Sequence, residues 1–332
     1  MRPRDLLPLA LALTAVALPL VAVVLRENRA EDALEIHARV AEAGGWTPAD
    51  LTVEAGEPLR LRLTSDDVLH GFAVGQSDAP PLDLPPGQIV ETTLQFDRPG
   101  KYVFYCTRWC GLSHWRMRGT IEVTDSSEEA PAPEPPLYVT LGLDLDAPHL
   151  ATNLPAGRPS ASRGSAIADS DGSIDVLARN EILPLSPEQV WEIYRANPAL
   201  EGQSNDDLWD LVARTWRSST APEALAEGGR LYADNCAACH GEAGGGAGVM
   251  SSSLAGKEHD AQREFGTHTQ RPANFTDLAS MLGASPALLQ GKILRGGMGT
   301  GMPYWGPIFT EAQSWAVVDF LWTFSFEYEE VP

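Results

Sequence analysis

Between Cys106 and Met117 the chain reads Cys106-Thr-Arg-Trp-Cys110-Gly-Leu-Ser-His114-Trp-Arg-Met117, two thiols, an imidazole and a thioether within twelve residues. No packing argument requires such a cluster, so the surrounding fold must exist to hold it. Soft thiolate and thioether donors beside imidazole form a ligand set that prefers copper. A Cys-x3-Cys pair can present both sulfurs to the same ions, and His114 and Met117 follow at offsets that let one loop curl around a metal centre. A fifth side chain lies upstream, in Asp66-Asp67-Val-Leu-His70-Gly-Phe72, where a strand-like segment ends in a histidine. Two other readings compete. A small disulfide between Cys106 and Cys110 is possible outside the cytoplasm. A zinc site is weaker, because zinc takes cysteine, histidine and carboxylate rather than methionine.

The chain has four cysteines, and the remaining two make a second motif. Leu231-Tyr-Ala-Asp-Asn-Cys236-Ala-Ala-Cys239-His240-Gly241 carries Cys-x2-Cys-His, the signature of covalent c-type haem attachment. Each thiol of Cys236 and Cys239 would form a thioether with the haem, and His240 would become the proximal iron ligand. A thioredoxin-like disulfide would need a preceding strand in a βαβ context, which is missing from this sequence. For the second axial ligand, Met302 stands in Gly301-Met-Pro-Tyr-Trp305, with Met298 four residues earlier as its competitor. Met250 and Met281 read as packing residues. With all four cysteines assigned to metal chemistry, no structural disulfide is expected.

At 332 residues the chain has room for two domains and their connectors, and more than a hundred residues separate the two motifs. A formal charge of −21 argues against a nucleic-acid partner and favours basic ones. Leu6 to Leu25 carries no charge and is long enough to cross about 30 Å of hydrocarbon as a helix. Arg2 and Arg4 precede it, which puts the N-terminus on the cytoplasmic side and the rest of the chain outside. The run is longer than a signal-peptide core and has no clean cleavage site, so residues 1–29 read as an uncleaved single-pass anchor. From 30 to 124, Leu34–Val40, Leu51–Glu54, Leu59–Leu63, Val90–Phe96, Tyr102–Tyr105 and Thr120–Val123 read as strands between Gly- and Pro-bearing turns. Many short strands with regular turns imply a β-sandwich. Asp125 to Pro136 is an acidic, proline-rich linker. Within 125–220, residues 151–175 look irregular, and Ser186 and Ser204 are placed to cap helices. This stretch reads as a helical spacer packing on the C-terminal segment. From 221 to 332 a first helix runs through Gly229 and Tyr232 into the Cys-x2-Cys-His motif, and Thr310 to Phe324 forms a closing helix. A glycine near Gly229 would let those two helices cross closely. His149, His259 and His268 have no partner pattern and read as surface residues, while His37 alternates into a strand and reads as structural.

The first motif, Cys-x3-Cys-Gly-x2-His-x2-Met with its upstream Asp-Val-x-His, resembles the binuclear copper A (CuA) site of haem–copper oxidase subunit II, and residues 30–124 resemble its single-helix, ba-type form. Residues 221–326 resemble a class I cytochrome c, and the fusion resembles subunit II of caa-type oxidases. The resemblance implies a multi-domain chain: an N-terminal transmembrane helix, an all-β Greek-key cupredoxin, then an all-α class I cytochrome c. It also implies two copper ions held by His70, Cys106, Cys110, His114, Met117 and the backbone carbonyl of Arg108. One covalent haem c would sit on Cys236 and Cys239 with His240 and Met302 as axial ligands. By the same resemblance the chain is a non-catalytic electron-entry subunit, and dioxygen reduction coupled to proton translocation belongs to subunit I. Other oxidase subunits, the membrane, and an external donor such as cytochrome c or a quinol-oxidising complex would be its partners. It would lie in the bacterial cell membrane with its cofactor domains on the periplasmic side. Arg108 stands where the family commonly has glutamate, and Trp46 and Trp109 are the candidates for the tryptophan through which family members receive electrons. Two other functions fit the same motifs: the CuA subunit of a nitric oxide reductase, and a stand-alone membrane-tethered carrier.

Overall fold

The computed structural model describes residues 33–111, 114–125, 134–170, 176–251, 271–297 and 302–328. The stretch Leu6–Leu25, Met298, His259 and His268 therefore lie outside the described residues. Among the described residues no helix is long and apolar enough to cross a membrane. The chain divides into two units, Met1–Pro131 and Ala132–Pro332.

The first unit is two sheets of short strands. β1 (Leu34–Ala38), β2 (Trp46–Thr47), β3 (Asp50–Glu54), β4 (Leu59–Ser65), β5 (His70–Val74), β6 (Leu82–Leu84), β7 (Ile89–Leu94), β8 (Gly100–Tyr105) and β9 (Arg118–Thr124) follow in chain order. One sheet runs β2-β1-β4-β7 and the other β3-β9-β8-β5-β6, with β1–β4 and β3–β9 parallel. In β4, Leu59, Leu61 and Leu63 are buried while Arg60 and Arg62 between them are less so, the period-2 pattern of a sheet with one wet face. Arg62 crosses the parallel pair to Glu35 at 2.9 Å. The core between the sheets is aromatic: Trp46 packs edge-on against Phe72 at 5.7 Å and Phe104 at 5.5 Å. Edge-to-face packing of this kind suits the ring quadrupoles. The turn-bounded segments expected as strands are strands. His70, however, begins β5 rather than ending a strand, because the pairs His70 with Leu84 and Gly71 with Asp83 extend the ladder toward β6.

The second unit is helical: α1 (Leu137–Thr140), α2 (Ala161–Ser170), α3 (Arg179–Ile182), α4 (Pro187–Arg195), α5 (Asn205–Ser218), α6 (Pro222–Asn235), α7 (Ala237–His240), α8 (Leu278–Leu282), α9 (Pro286–Arg295) and α10 (Glu311–Leu321). Ser186 and Ser204 cap α4 and α5 by accepting from the N–H groups of Gln189 and Asp207, each in a reciprocal capping box. The expectation that 151–175 is irregular fails at α2. Its hydrophobic signal is weak, but Gly164 lets it lie against α5, where an added Cβ would sit 2.1 Å from the Asp210 carbonyl oxygen. Asp210 then accepts from the Ser160 N–H and, as a fork, from Nε and Nη2 of Arg163.

α1, α3 and α5 pack against described residues that follow position 221, and α4 packs on α5. Trp216 of α5 meets Trp322 edge-on at 5.6 Å. Arg179 of α3 reaches buried Asp319 of α10 at 2.9 Å. The short bridge between Ser160 and Glu327 joins the early part of the unit to its end. α6 and α10 cross closely at Gly228, where a Cβ would stand 2.0 Å from the Ala316 carbonyl oxygen; neighbouring Gly229 faces only the Phe320 ring.

Candidate metal and haem sites

The copper-type ligands lie at one end of the sandwich, on β5 and on the β8–β9 connection. The last β8–β9 pair is Tyr105 with Arg118. Beyond it the Cys106 N–H donates to the Met117 carbonyl at 3.1 Å, tying the two ends of the ligand loop together. A short turn inside the loop, in which the Met117 N–H donates to the His114 carbonyl at 3.0 Å, sets the spacing of the last two donors. The loop lies over β5 at Gly71, where a Cβ would meet the Thr107 hydroxyl at 2.0 Å. Gly71 is thus the residue that lets the cysteine loop close on the histidine strand, and its N–H points at Cys106 Sγ at 3.5 Å.

All the predicted donors converge. Cys106 Sγ lies 3.7 Å from His70 Nδ1, 3.2 Å from the Arg108 carbonyl oxygen and 3.8 Å from Cys110 Sγ. Cys110 Sγ lies 3.6 Å from His114 Nδ1 and 3.2 Å from Met117 Sδ. Both cysteines are free thiols. A disulfide would need its sulfurs about 2.05 Å apart. Two sulfurs each about 2.3 Å from a common metal at a tetrahedral angle stand about 3.8 Å apart, so the observed spacing suits shared ligation and not a bond. The donor set of two thiols, two imidazoles, a thioether and a carbonyl fits a soft metal such as copper.

Charge in the pocket is arranged for the anionic form of a sulfur. The Cys110 side chain beside it holds the Cys106 thiol far below its usual range, at about 2, against burial, which opposes this; the facing Cys106 sulfur and then burial push Cys110 upward. His70 is fully buried, and burial opposes its protonation; the Cys106 sulfur and Asp67 outweigh that and raise it. Asp67 Oδ1 meets His70 Nε2 at 2.7 Å, while its carboxylate also accepts from the Val40 and Val68 N–H groups at 2.7 Å each. This is a carboxylate that fixes the ring and its tautomer, leaving Nδ1 toward the sulfurs. Sequence reasoning places Asp67 within the upstream motif but gives it no role. Of the two tryptophans, Trp46 is core, 6.5 Å from the His70 ring, and Trp109 is exposed beside the His114 ring at 5.3 Å.

In the helical unit, Cys236 closes α6, and Cys239 and His240 end the single turn of α7. Both thiols are free, and burial pushes Cys236 up to about 12. The His240 ring faces the Ala273 carbonyl, with Nδ1 at 3.1 Å, and stacks on Phe275 with centroids 4.8 Å apart. A donating Nδ1–H leaves Nε2 as the ligand nitrogen, the arrangement a proximal histidine needs. Around the motif, a Cβ on Gly248 would strike the Ala238 carbonyl at 2.3 Å, and one on Gly244 the Phe324 ring at 2.6 Å. The glycine-rich run after His240 is therefore a close backbone wrap. The residues fit covalent haem on Cys236 and Cys239 with His240 as ligand. Met302 lies on the segment between α9 and α10, where its carbonyl accepts from the Gly297 N–H at 3.1 Å.

A sandwich whose strand ends carry a thiol–imidazole–thioether loop, joined to a helical unit built around Cys-x2-Cys-His, defines a class of chain with two candidate metal-binding centres. Known proteins match both parts. Residues 47–124 match the family described as cytochrome C oxidase subunit II, periplasmic domain, and residues 225–325 match cytochrome c. Cytochrome c oxidase subunit 2 of Thermus thermophilus is 36% identical over 86 residues, 26% of this chain and 63% of that protein; in a second sequence from the same species, a match of the same length is 51% of the protein. The alternative cytochrome c oxidase subunit 2 of Bradyrhizobium diazoefficiens is 33% identical over 79 residues, 24% of this chain and 28% of that one. Among solved structures, the periplasmic domain of cytochrome oxidase subunit II from Bradyrhizobium japonicum is 27% identical, covering 23% of this chain and 55% of that chain with a TM-score of 0.22. The match thus spans less than two thirds of these curated relatives. The chain thus joins a region that matches a subunit II periplasmic domain to one that matches cytochrome c.

Proposed function

We propose that the chain is the electron-transfer subunit II of a haem–copper terminal oxidase, with a binuclear CuA centre in its first unit and a haem c in its second. The convergence of His70, Cys106, Cys110, His114, Met117 and the Arg108 carbonyl within hydrogen-bonding distances of two unbonded sulfurs carries this reading. Cys106, Cys110, His70, His114, Met117 and the Arg108 carbonyl would hold the two coppers. Cys236 and Cys239 would hold the haem, with His240 and Met302 as its axial pair. When bound, the two groups supply one-electron chemistry, taken up from an external donor at the cytochrome unit and delivered from the copper unit to subunit I. The protein's own part is rigidity: the ligand loop is tied at both ends to β8 and β9, and His70 is held by Asp67, so the donors keep their places in either charge state. Residues 1–29 would anchor the chain by one helix in the bacterial membrane, with both units on the periplasmic side. The net charge of −21 suits a basic donor.

The test is copper content and electron-spin resonance on a fragment lacking residues 1–29. Two coppers per chain with one unpaired electron shared between two copper nuclei is the expected result; a single-copper spectrum would overturn the binuclear centre. Purification of the whole chain with a dioxygen-reducing haem–copper subunit is expected. A nitric-oxide-reducing partner, or none, would move the chain to one of the other two functions.

A further inference from the structure

The arginine that departs from the family pattern is held in a specific way. Arg108 sits midway between the two cysteines, and its guanidinium makes a two-pronged contact with Asp83, Nε to Oδ1 at 2.7 Å and Nη2 to Oδ2 at 2.9 Å. Asp83 lies on β6, directly opposite Gly71 of β5 in the ladder, one residue past the ligand His70. The Arg108 stem crosses the surface that Gly71 leaves bare, since a Cβ there would come 3.2 Å from Arg108 Cγ. The loop between the cysteines is therefore fastened at three places: Cys106 through its N–H to Met117, Thr107 against Gly71, and Arg108 to the neighbouring strand. The third fixes the peptide whose carbonyl oxygen is aimed at Cys106 Sγ. Both charged groups are about half exposed, so the pair adds little to global stability. A fork geometry nevertheless sets direction as well as contact, and a lysine cannot reproduce it.

We propose that Asp83 is a positioning residue for the copper centre: through the two-pronged contact it orients Arg108, and through Arg108 it aims the loop carbonyl at the metal. Its role toward copper rests on the function proposed above, whereas the ordering of the loop does not. Three variants of the full chain separate the possibilities: Asp83→Ala, Arg108→Lys, and the exchange pair Asp83→Arg with Arg108→Asp, which rebuilds the fork reversed. In the metal-free protein, hydrogen exchange at the Thr107, Arg108 and Trp109 amides should quicken about three- to fivefold in both single variants, the scale of one exposed ion pair, and recover in the exchange pair. Unchanged exchange in the single variants, or no recovery in the pair, would overturn the proposal. After copper loading, the single variants should keep the wild-type metal content but change the copper hyperfine splitting, and the pair should restore it. Faster exchange with a wild-type spectrum would mean that the fork orders the loop without aiming its carbonyl, and the positioning role would fall. A chain that takes up no copper would instead remove the copper reading, with the exchange data still deciding what the fork does to the loop.

Discussion

Asp67 illustrates how much of a metal site lies behind the ligands. Its carboxylate takes two backbone N–H groups and the far nitrogen of His70, a buried ring whose other nitrogen faces Cys106 Sγ. Asp67→Ala should leave the sandwich folded but loosen metal retention by about 10- to 100-fold, as loss of such outer partners does, measured by competition with a chelator. Cys106→Ser and Cys110→Ser should each abolish the shared-electron spectrum, since one remaining thiolate cannot bridge in both positions. Met117→Leu should keep both metals and shift the reduction potential, because a thioether is a weak axial donor.

Helix crossings and loop pins decide the second unit, and two of them have opposite chemistry. At the α6–α10 crossing, Gly228→Ala would force a methyl to 2.0 Å from a backbone oxygen that cannot move alone. It should cost about 1–3 kcal/mol of stability in thermal denaturation. Gly229→Ala meets only a movable Phe320 ring edge at 3.0 Å, and the helix gains about 1 kcal/mol from losing a glycine, so it should be near neutral. Glu188, in the first turn of α4, accepts from the backbone and side chains of Thr152 and Asn153 at 2.8–3.2 Å. Partial burial opposes ionisation of this carboxylate, but the four donors outweigh it and hold its pKa below the usual 4.5. A depressed carboxylate stabilises the fold above its unfolded pKa and stops doing so as pH falls through the folded value. Glu188→Gln should therefore cost about 1 kcal/mol at pH 7 and nothing at a pH low enough to protonate the native glutamate, read as a pH-dependent difference in melting temperature.

For the whole chain, the division into two units makes separate folding the expectation. Fragment 132–332 should unfold cooperatively and carry haem by itself. Fragment 221–332, trimmed to the cytochrome match, should not be its equal. It would bare the surface where Trp216 packs on Trp322 and Phe326, and remove the Arg179 partner of Asp319. Losing that apolar packing should make the shorter fragment melt at a clearly lower temperature.

The donor cluster of the first unit was the most legible layer of this chain, because residue identity and spacing along a loop survive without tertiary context. Cys-x3-Cys-Gly-x2-His-x2-Met and Cys-x2-Cys-His are local patterns, and the alternating strands and serine caps are read from neighbours two to four residues away. His70 stands thirty-six residues from Cys106, and only the family pattern linked them; the folded β5–loop contact at Gly71 makes the link physical. Helix α2 escaped because its stability comes from Gly164 fitting against Asp210 and not from its own weak periodicity. For the same reason Gly228 and Gly229 are indistinguishable in sequence, and the difference lies in which of them faces a neighbouring backbone. The Arg108–Asp83 contact joins residues twenty-five apart that share no motif. Composition and spacing name the donors; burial, crossing angle and strand register choose their partners, since those depend on which distant segments pack together.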